Sequence, residues 1–485
     1  MASTFRDWTM SKGGSSRIGK TSDVFERAAP TQILSQTESV CPECLVRIPA
    51  ARVVRDGDVY LEKDCPDHGH FKTIIWRGAD SFKNWVKPKF PSFPKNPTTE
   101  VKDGCPYDCG LCADHRQHTC SVLLEVTQRC DLHCPVCFAD AGNAQSVDLP
   151  MTEIAAWYER LMAQGGPFNV QLSGGEPCVR DDLPEIIRLG RSYGFTFFQV
   201  NTNGLRLARD PDYLAELKAA GLSTVFLQFD GTRDEIYKTV RGRNLFEKKM
   251  AAIENCTKQG VGVVLVPTLI PNVNTNDIGN IIRLALEHMP IVRGVHFQPV
   301  SYFGRYPETP ADDARITIPE TLREIEAQTG GMIRADVFCP PGCENALCSF
   351  HGNFVLMPNG DLKAITQHKE DACGCKPIVA EEGAARTRAF VAQNWSAPAL
   401  VAELPVFGGP SLGEWDIFLE RKRTHSFFVS GMAFQDAWNL DLERLRDCCI
   451  HIASPDGRLV PFCAYNLTDK NGRGLYRNTV ANVQR

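Results

Sequence analysis

The segment Ser121-Val122-Leu123-Leu124-Glu125-Val126-Thr127-Gln128-Arg129-Cys130-Asp131-Leu132-His133-Cys134-Pro135-Val136-Cys137 decides how the rest of the chain is read. Its first six residues form a short apolar run of strand type, and the loop that the strand feeds carries cysteines in a CxxxCxxC spacing. Three thiolates on one short loop can wrap one face of a cuboidal iron–sulfur cluster and leave its fourth iron without a protein ligand. The alternatives are a zinc site, which ordinarily closes with four ligands, and three unrelated thiols. Downstream, strand-like and helical stretches alternate. Strands are expected at Asn169–Leu172, Thr196–Val200, Thr224–Phe229, Val261–Leu265 and Val295–Gln298. Helices are expected at Thr152–Ala163, Leu183–Tyr193, Tyr213–Ala220, Phe246–Gln259 and Asp277–Glu287. Six short strands alternating with five helices predict an α/β fold, a partial (β/α)6 barrel over residues 120–310, with the cysteine loop at its mouth.

The flanks divide by their cysteines. Residues 1–35, without periodicity, read as a mobile tail. Residues 36–86 read as a zinc-ribbon or rubredoxin-like module: Cys41, Cys44, Cys65 and His68 form two knuckles around a hairpin that turns at Asp56-Gly57-Asp58, a tetrahedral set for one zinc or iron. Residues 87–119, with Pro88, Pro91, Pro94 and Pro97, read as a linker and auxiliary-cluster loop. Cys105, Cys109, Cys112 and Cys120 suffice for a second cluster there, although Cys120 also reads as a strand-packing thiol. Residues 311–485 read as a C-terminal auxiliary-cluster domain, carrying Cys339, Cys343, Cys348, Cys373, Cys375, Cys448, Cys449 and Cys463. Of these, Cys343, Cys348, one of the adjacent pair (taken as Cys448) and Cys463 are assigned to a third cluster. Cys256 and Cys178 read as packing residues.

Composition narrows the classes. Twenty cysteines in 485 residues are about 4%, below the roughly 8–10% of disulfide scaffolds, and they are clustered. The first thirty residues show Arg6, Lys12, Arg17 and Lys20 and no apolar signal core. The expectation is therefore a cytoplasmic chain in which cysteines hold metal. A net charge of −5 without a basic patch argues against a nucleic-acid partner.

The cysteine loop resembles the signature of radical S-adenosylmethionine (SAM) enzymes. Ser173-Gly174-Gly175-Glu176-Pro177 at the end of the second strand matches that family's glycine-rich stretch, which holds the methionyl amine. Asn201-Thr202-Asn203-Gly204 and Asp230-Gly231, which alone would read as turns, end the third and fourth strands where the family binds ribose and carboxylate. The resemblance implies [4Fe-4S] clusters and SAM as cofactors. It makes Cys130, Cys134 and Cys137 the catalytic cluster ligands, and Ser173, Gly174, Gly175, Glu176, Asn203 and Asp230 the SAM-binding residues. It further implies reductive cleavage to a 5′-deoxyadenosyl radical, driven by a low-potential donor such as ferredoxin or flavodoxin. The order CPEC…CPDHG, GCPYDCGLC, TQRCDLHCPVCF, LQFDGTRDEIY and FCAYN resembles a narrower group, the class D methyltransferases acting on a pterin precursor together with the archaeal tetraether lipid synthases. Both activities join carbon to carbon at poorly activated positions, so the substrate is expected to be a small molecule or a lipid. A lipid would bring peripheral membrane contact and an apolar tunnel, to which Phe195–Phe198, Phe226 and Phe229 could contribute. In either case the C-terminal cysteines are expected to serve the second half of the reaction. The remaining alternative is an iron–sulfur electron carrier or scaffold without SAM chemistry.

Overall fold

The computed structural model describes residues 32–86, 89–142, 147–366, 379–398 and 413–477. The expected tail, up to residue 31, lies outside these, as do Pro88, Cys373 and Cys375. The N-terminal module is a four-stranded antiparallel sheet of β1 (Gln32–Val40), β2 (Arg47–Arg55), β3 (Asp58–Cys65) and β4 (Gly69–Arg77). Its central hairpin closes through Asp56 and Gly57, at φ 51° and 83°. Two successive positive φ values match the twist of paired strands, which is why Asp-Gly stands there. At the far end, Cys41, Cys44, Cys65 and His68 bring one ligand atom each to within 4.8 Å of one another. Hydrogen bonding to His68 lowers the Cys65 thiol pKa, while burial pushes that of Cys41 up to about 11.

The module docks on residues remote in sequence. The Arg52 guanidinium bonds the Asp441 carboxylate at 2.6 Å, with both side chains under one-tenth exposed, and also reaches Glu443. Buried Lys63 donates to Ser39 Oγ at 2.9 Å and to the Ala437 carbonyl at 2.7 Å.

The second sheet has twelve strands among the described residues. Six are those expected: β5 (Ser121–Thr127), β6 (Asn169–Gly174), β7 (Phe198–Thr202), β8 (Thr224–Gln228), β9 (Gly262–Val266) and, after the two-residue β10 (Thr268–Leu269), β11 (Val292–Pro299). The first five pair in parallel in chain order, and β11 pairs in parallel with β9. All seven residues of β5 are buried, as in a parallel sheet covered on both faces. Helices at Met151–Ala163, Leu183–Ser192, Pro211–Ala220, Phe246–Gln259 and Ile278–Glu287 pack against its outer face, joined by the shorter Leu205–Arg209 and Asp234–Arg241.

The region after residue 310 does not stand apart from this sheet. The remaining strands are β12 (Ser349–Leu356), β13 (Leu362–Ala364), β14 (Ser426–Met432), β15 (Ile450–Ala453) and β16 (Leu459–Pro461). β14 pairs in parallel with β11 at one edge, and antiparallel β12 and β13 continue from it. At the other edge β15 pairs in parallel with β5 and carries β16. The expected C-terminal domain thus supplies both flanks of the barrel, covering edges that six strands alone would leave unpaired. No helix among the described residues is long and apolar enough to cross a membrane.

Two outcomes follow for the N-terminal module. Arg52→Ala strands the buried Asp441 carboxylate, which is expected to cost about 3–5 kcal/mol. It should lower the melting temperature, and an unchanged melting curve would contradict the docking described here. Replacing Cys41 and Cys44 together with serine should remove one metal equivalent per chain and open residues 36–86 to protease, because so small a module has little core of its own. Unchanged metal content would contradict the ligand set.

Candidate active site

The cysteine loop leaves the end of β5 and is clasped from the far side of the barrel. Cys137 and Arg305 exchange two backbone hydrogen bonds, each 2.9 Å, and Arg305 Nε donates to the Cys134 carbonyl at 2.9 Å. Gly304 precedes that clasp at φ 68°, where a Cβ would lie 2.5 Å from the carbonyl oxygens of Cys137 and Phe138. Only glycine fits there. The glycine stretch after β6 presses on the loop from the other side. A Cβ on Gly174 would stand 2.1 Å from the Thr127 oxygen, and one on Gly175 2.2 Å from the Arg129 oxygen. The Gly175 and Glu176 amides donate to those same two carbonyls, each at 2.8 Å. The glycines therefore let two strand ends close on each other at the root of the cysteine loop.

Glu176 and Asn203 extend this cross-strand stitching. The buried Glu176 carboxylate accepts from Thr202 Oγ1 at 2.6 Å and from the amides of Asn203 at 2.6 Å and Cys178 at 3.0 Å. Asn203 Nδ2 donates to Asp131 Oδ1 at 2.7 Å, inside the cysteine loop. Lys249, fully buried and pushed down to about 8 by burial, donates to the Asn203 carbonyl at 2.6 Å.

Asp230 requires a correction. It was expected to face a ligand at the barrel mouth, but it does not line the cavity. Its two oxygens accept from Arg241 Nε and Nη2, each at 2.7 Å, and from the Thr268 amide at 3.2 Å. Arg241 is the member of the pair that reaches the cavity wall. Burial raises the Cys134 thiol pKa, and the Arg241 charge beside it opposes that rise. The sequence signal was faint: Arg241 ends the short helix Asp234–Arg241, eleven residues beyond Asp230. Lys249 and Arg305 were likewise not anticipated.

The three loop thiols fit a metal cluster. Cys130, Cys134 and Cys137 all line one cavity, and burial pushes the Cys130 thiol up to about 12. Such thiols become thiolates only beside compensating positive charge, which Arg241 offers to Cys134 and which a cluster's iron would offer to all three. Ser173, Gly174, Gly175, Glu176 and Asn203 line the same wall.

That cavity, about 590 Å³, runs through the barrel. Its volume falls within the range of small-molecule sites. Cys120 directly precedes β5 and Cys130 follows it, so the seven-residue strand separates them by about 23 Å at 3.3 Å per residue. Cys120, Cys449 and Glu344 line the cavity as well, so it reaches from one cysteine group to the other.

The auxiliary cysteines group differently from expectation. Cys120, placed with Cys105, Cys109 and Cys112 by spacing, lies with Cys343 and Cys449, all three sulfurs within 4.8 Å of one another. The cause is strand pairing: β15 sets Ile450 opposite Ser121, and the Cys120 amide donates to the Cys449 carbonyl at 2.8 Å. Gln117 bonds the Cys343 carbonyl and completes the group. Glu344 Oε2 lies 3.6 Å from Cys449 Sγ. Cys343 is thereby separated from its expected partners. Cys348, Cys448 and Cys463 form a different set: burial raises the Cys448 and Cys463 thiol pKa values, with a further electrostatic rise at Cys448 from Cys463 and Cys348 and at Cys463 from Cys348. Adjacent residues of an extended segment point to opposite sides, which assigns Cys448 and Cys449 to different groups. Cys105, Cys109 and Cys112 stay neighbours without Cys120. Cys178 and Cys256 are buried in the main core.

Comparisons with known proteins identify the family. Residues 124–285 match the radical SAM superfamily, and residues 33–77 match the HMPTM N-terminal zinc ribbon domain. The 7,8-dihydro-6-hydroxymethylpterin dimethyltransferase of Methanocaldococcus jannaschii is 38% identical over 89% of this chain and 93% of its own length. The GTP 3′,8-cyclase of Chlorobaculum tepidum is 27% identical over 48% of this chain and 72% of its own. Among solved structures, Streptococcus suis SuiB bound to S-adenosylmethionine aligns with a TM-score of 0.35 at 14% identity, over 44% of this chain and 47% of that one. With its zinc ribbon, its radical SAM core and 38% identity spread over nearly the whole of both chains, this protein is an enzyme of the radical SAM superfamily and belongs to the family of the M. jannaschii dimethyltransferase.

Proposed function

We propose that the protein is a radical SAM methyltransferase that forms a carbon–carbon bond at an unactivated carbon of a reduced, pterin-like small molecule. The observation that carries this reading is the single cavity bounded by the three-cysteine loop at one end and by Cys120 and Cys449 at the other. Cys130, Cys134 and Cys137 would hold the cluster, and Ser173, Gly174 and Gly175 would border its SAM. When bound there, that pair supplies a 5′-deoxyadenosyl radical able to take hydrogen from carbon. The chain's own residues do the rest. Arg241, fixed by Asp230, places positive charge beside Cys134. The Arg305 clasp holds the loop's geometry, and the barrel wall keeps water from the reacting atoms. A ferredoxin or flavodoxin would deliver the electron.

The near full-length relative, a 7,8-dihydro-6-hydroxymethylpterin dimethyltransferase, supports a pterin substrate. Coupling of lipid chains receives less support. Phe195, Phe198 and Phe229 pack in the core outside the cavity, Phe195 and Phe198 against Tyr158 and Phe229 against Tyr237. Only Phe197 and Phe226 of the aromatics expected for a tunnel line the cavity, and they share it with Gln171, Gln199 and Asn201.

Replacing Cys130, Cys134 and Cys137 together with alanine should abolish 5′-deoxyadenosine formation under strict anaerobiosis, and persistence of that product would refute the cluster assignment. Cys120→Ser with Cys449→Ser should leave cleavage of SAM within about threefold while methylated pterin falls at least tenfold, a loss of about 1.4 kcal/mol or more in product formation. Equal losses of both would make the second group an electron conduit or a folding element.

A further inference from the structure

Between the two cysteine groups, the cavity wall carries a chain of polar side chains whose direction is set by the backbone. Ser121 Oγ donates to the Asn169 carbonyl at 3.3 Å, so its lone pair is open to Gln171 Nε2, which donates to it at 2.8 Å. Gln171 Oε1 then accepts from Asn201 Nδ2 at 3.2 Å, and Asn201 Oδ1 from Gln199 Nε2 at 2.7 Å. Each amide uses its donor toward Ser121 and turns its acceptor the other way. The chain ends on Gln199 Oε1, which has no hydrogen-bond partner among the described residues although Gln199 is 0% exposed. All four residues line the cavity.

A buried acceptor without a partner costs about as much as a lost hydrogen bond, and a barrel interior needs no such group for packing. An apolar chain lying there would keep Gln199 Oε1 unsatisfied. A ring with N–H groups on its edge would satisfy it. The wall next to the amides is flat and apolar: Phe226 pairs in register with Asn201 and stacks on Trp395, with centroids 5.5 Å apart and planes 11° from parallel.

We infer that Gln199, oriented through Asn201 and Gln171 by Ser121, is the specificity residue for the substrate, accepting a hydrogen bond from the N–H edge of a flat heterocycle held against the Phe226 wall. This rests on the methyltransferase reading and adds the residue that recognises the ring. It also gives the site a polarity: ligands presenting acceptors alone at that edge are rejected, because two acceptors would face each other.

The test is anaerobic binding of 7,8-dihydro-6-hydroxymethylpterin to the reconstituted holoenzyme, followed by ligand fluorescence, with metal content and melting temperature recorded for each protein. Gln199→Met, close in volume but without an acceptor, should weaken binding about tenfold and raise KM more than it lowers kcat. Gln199→Asn, whose shorter amide keeps the site polar, should also weaken binding, and it carries the test if the methionine variant does not fold. Affinity within twofold of wild type for a folded variant overturns the inference while leaving the methyltransferase reading intact. Wild-type protein that binds no reduced pterin overturns both. Binding of a phytanyl diether lipid that is unaffected by Gln199→Met, alongside weakened pterin binding, supports the assignment.

Discussion

The parallel pairing of β15 with β5 is the constraint on which the site depends. β5 is the strand that enters the cysteine loop, and β15 reaches it only after more than three hundred residues of chain. The register that places Ile450 beside Ser121 also places Cys449 beside Cys120, directly below the barrel interior. One strand pairing therefore closes an open sheet edge and builds a second thiol group at the opposite end of the cavity from the first. Parallel pairing at such sequence separation carries a large loop-closure cost, so it persists only where tertiary contacts return more than that.

Buried ion pairs supply part of that return. Arg477, near the end of the described chain, grips Glu125 on β5 at 2.6 and 2.8 Å. Arg315 grips Asp436 at 2.8 and 3.0 Å with both partners buried, and Arg52 grips Asp441. Each pair joins segments far apart in sequence, and two of the three tie the barrel or the N-terminal module to the C-terminal region. Pairs of this kind return little net stability over an apolar replacement, but a mispaired arrangement would leave charges buried alone. They act here mainly to exclude other arrangements of the same elements. Asp230 and Arg241 apply the same logic inside the site, where the pair fixes one positive charge against a thiol.

Much of this was legible in the amino-acid sequence, for physical reasons that also mark where legibility stopped. The six parallel strands, the hairpin at Asp56-Gly57 and the cysteine loop after β5 are local signals, set by apolar runs, turn residues and spacing within a few positions. The strands after residue 310 are short and unevenly spaced among helices, and they join the sheet out of chain order, so nothing local marked them as barrel flanks. Cys120 shows the limit most plainly. Spacing ties it to Cys112, eight residues back, whereas its sulfur lies 3.1 Å from that of Cys449, and only the sheet register reveals this. Asp230 fails in a related way: its position at a strand end was readable, but its partner Arg241 lies on a short helix that periodicity did not resolve. Gln171 and Gln199 read as ordinary polar positions in strands and Asn201 as part of a polar strand end, and their chain of hydrogen bonds exists only once three strands lie side by side.

The most direct measurement is anomalous diffraction at the iron and zinc edges from anaerobically grown crystals. Metal density is expected at Cys130, Cys134 and Cys137, and separate metal density at Cys120, Cys343 and Cys449, the two about 23 Å apart on one cavity, as the length of β5 requires. Density that joins Cys120 to Cys105, Cys109 and Cys112, with Cys449 elsewhere, would contradict this expectation.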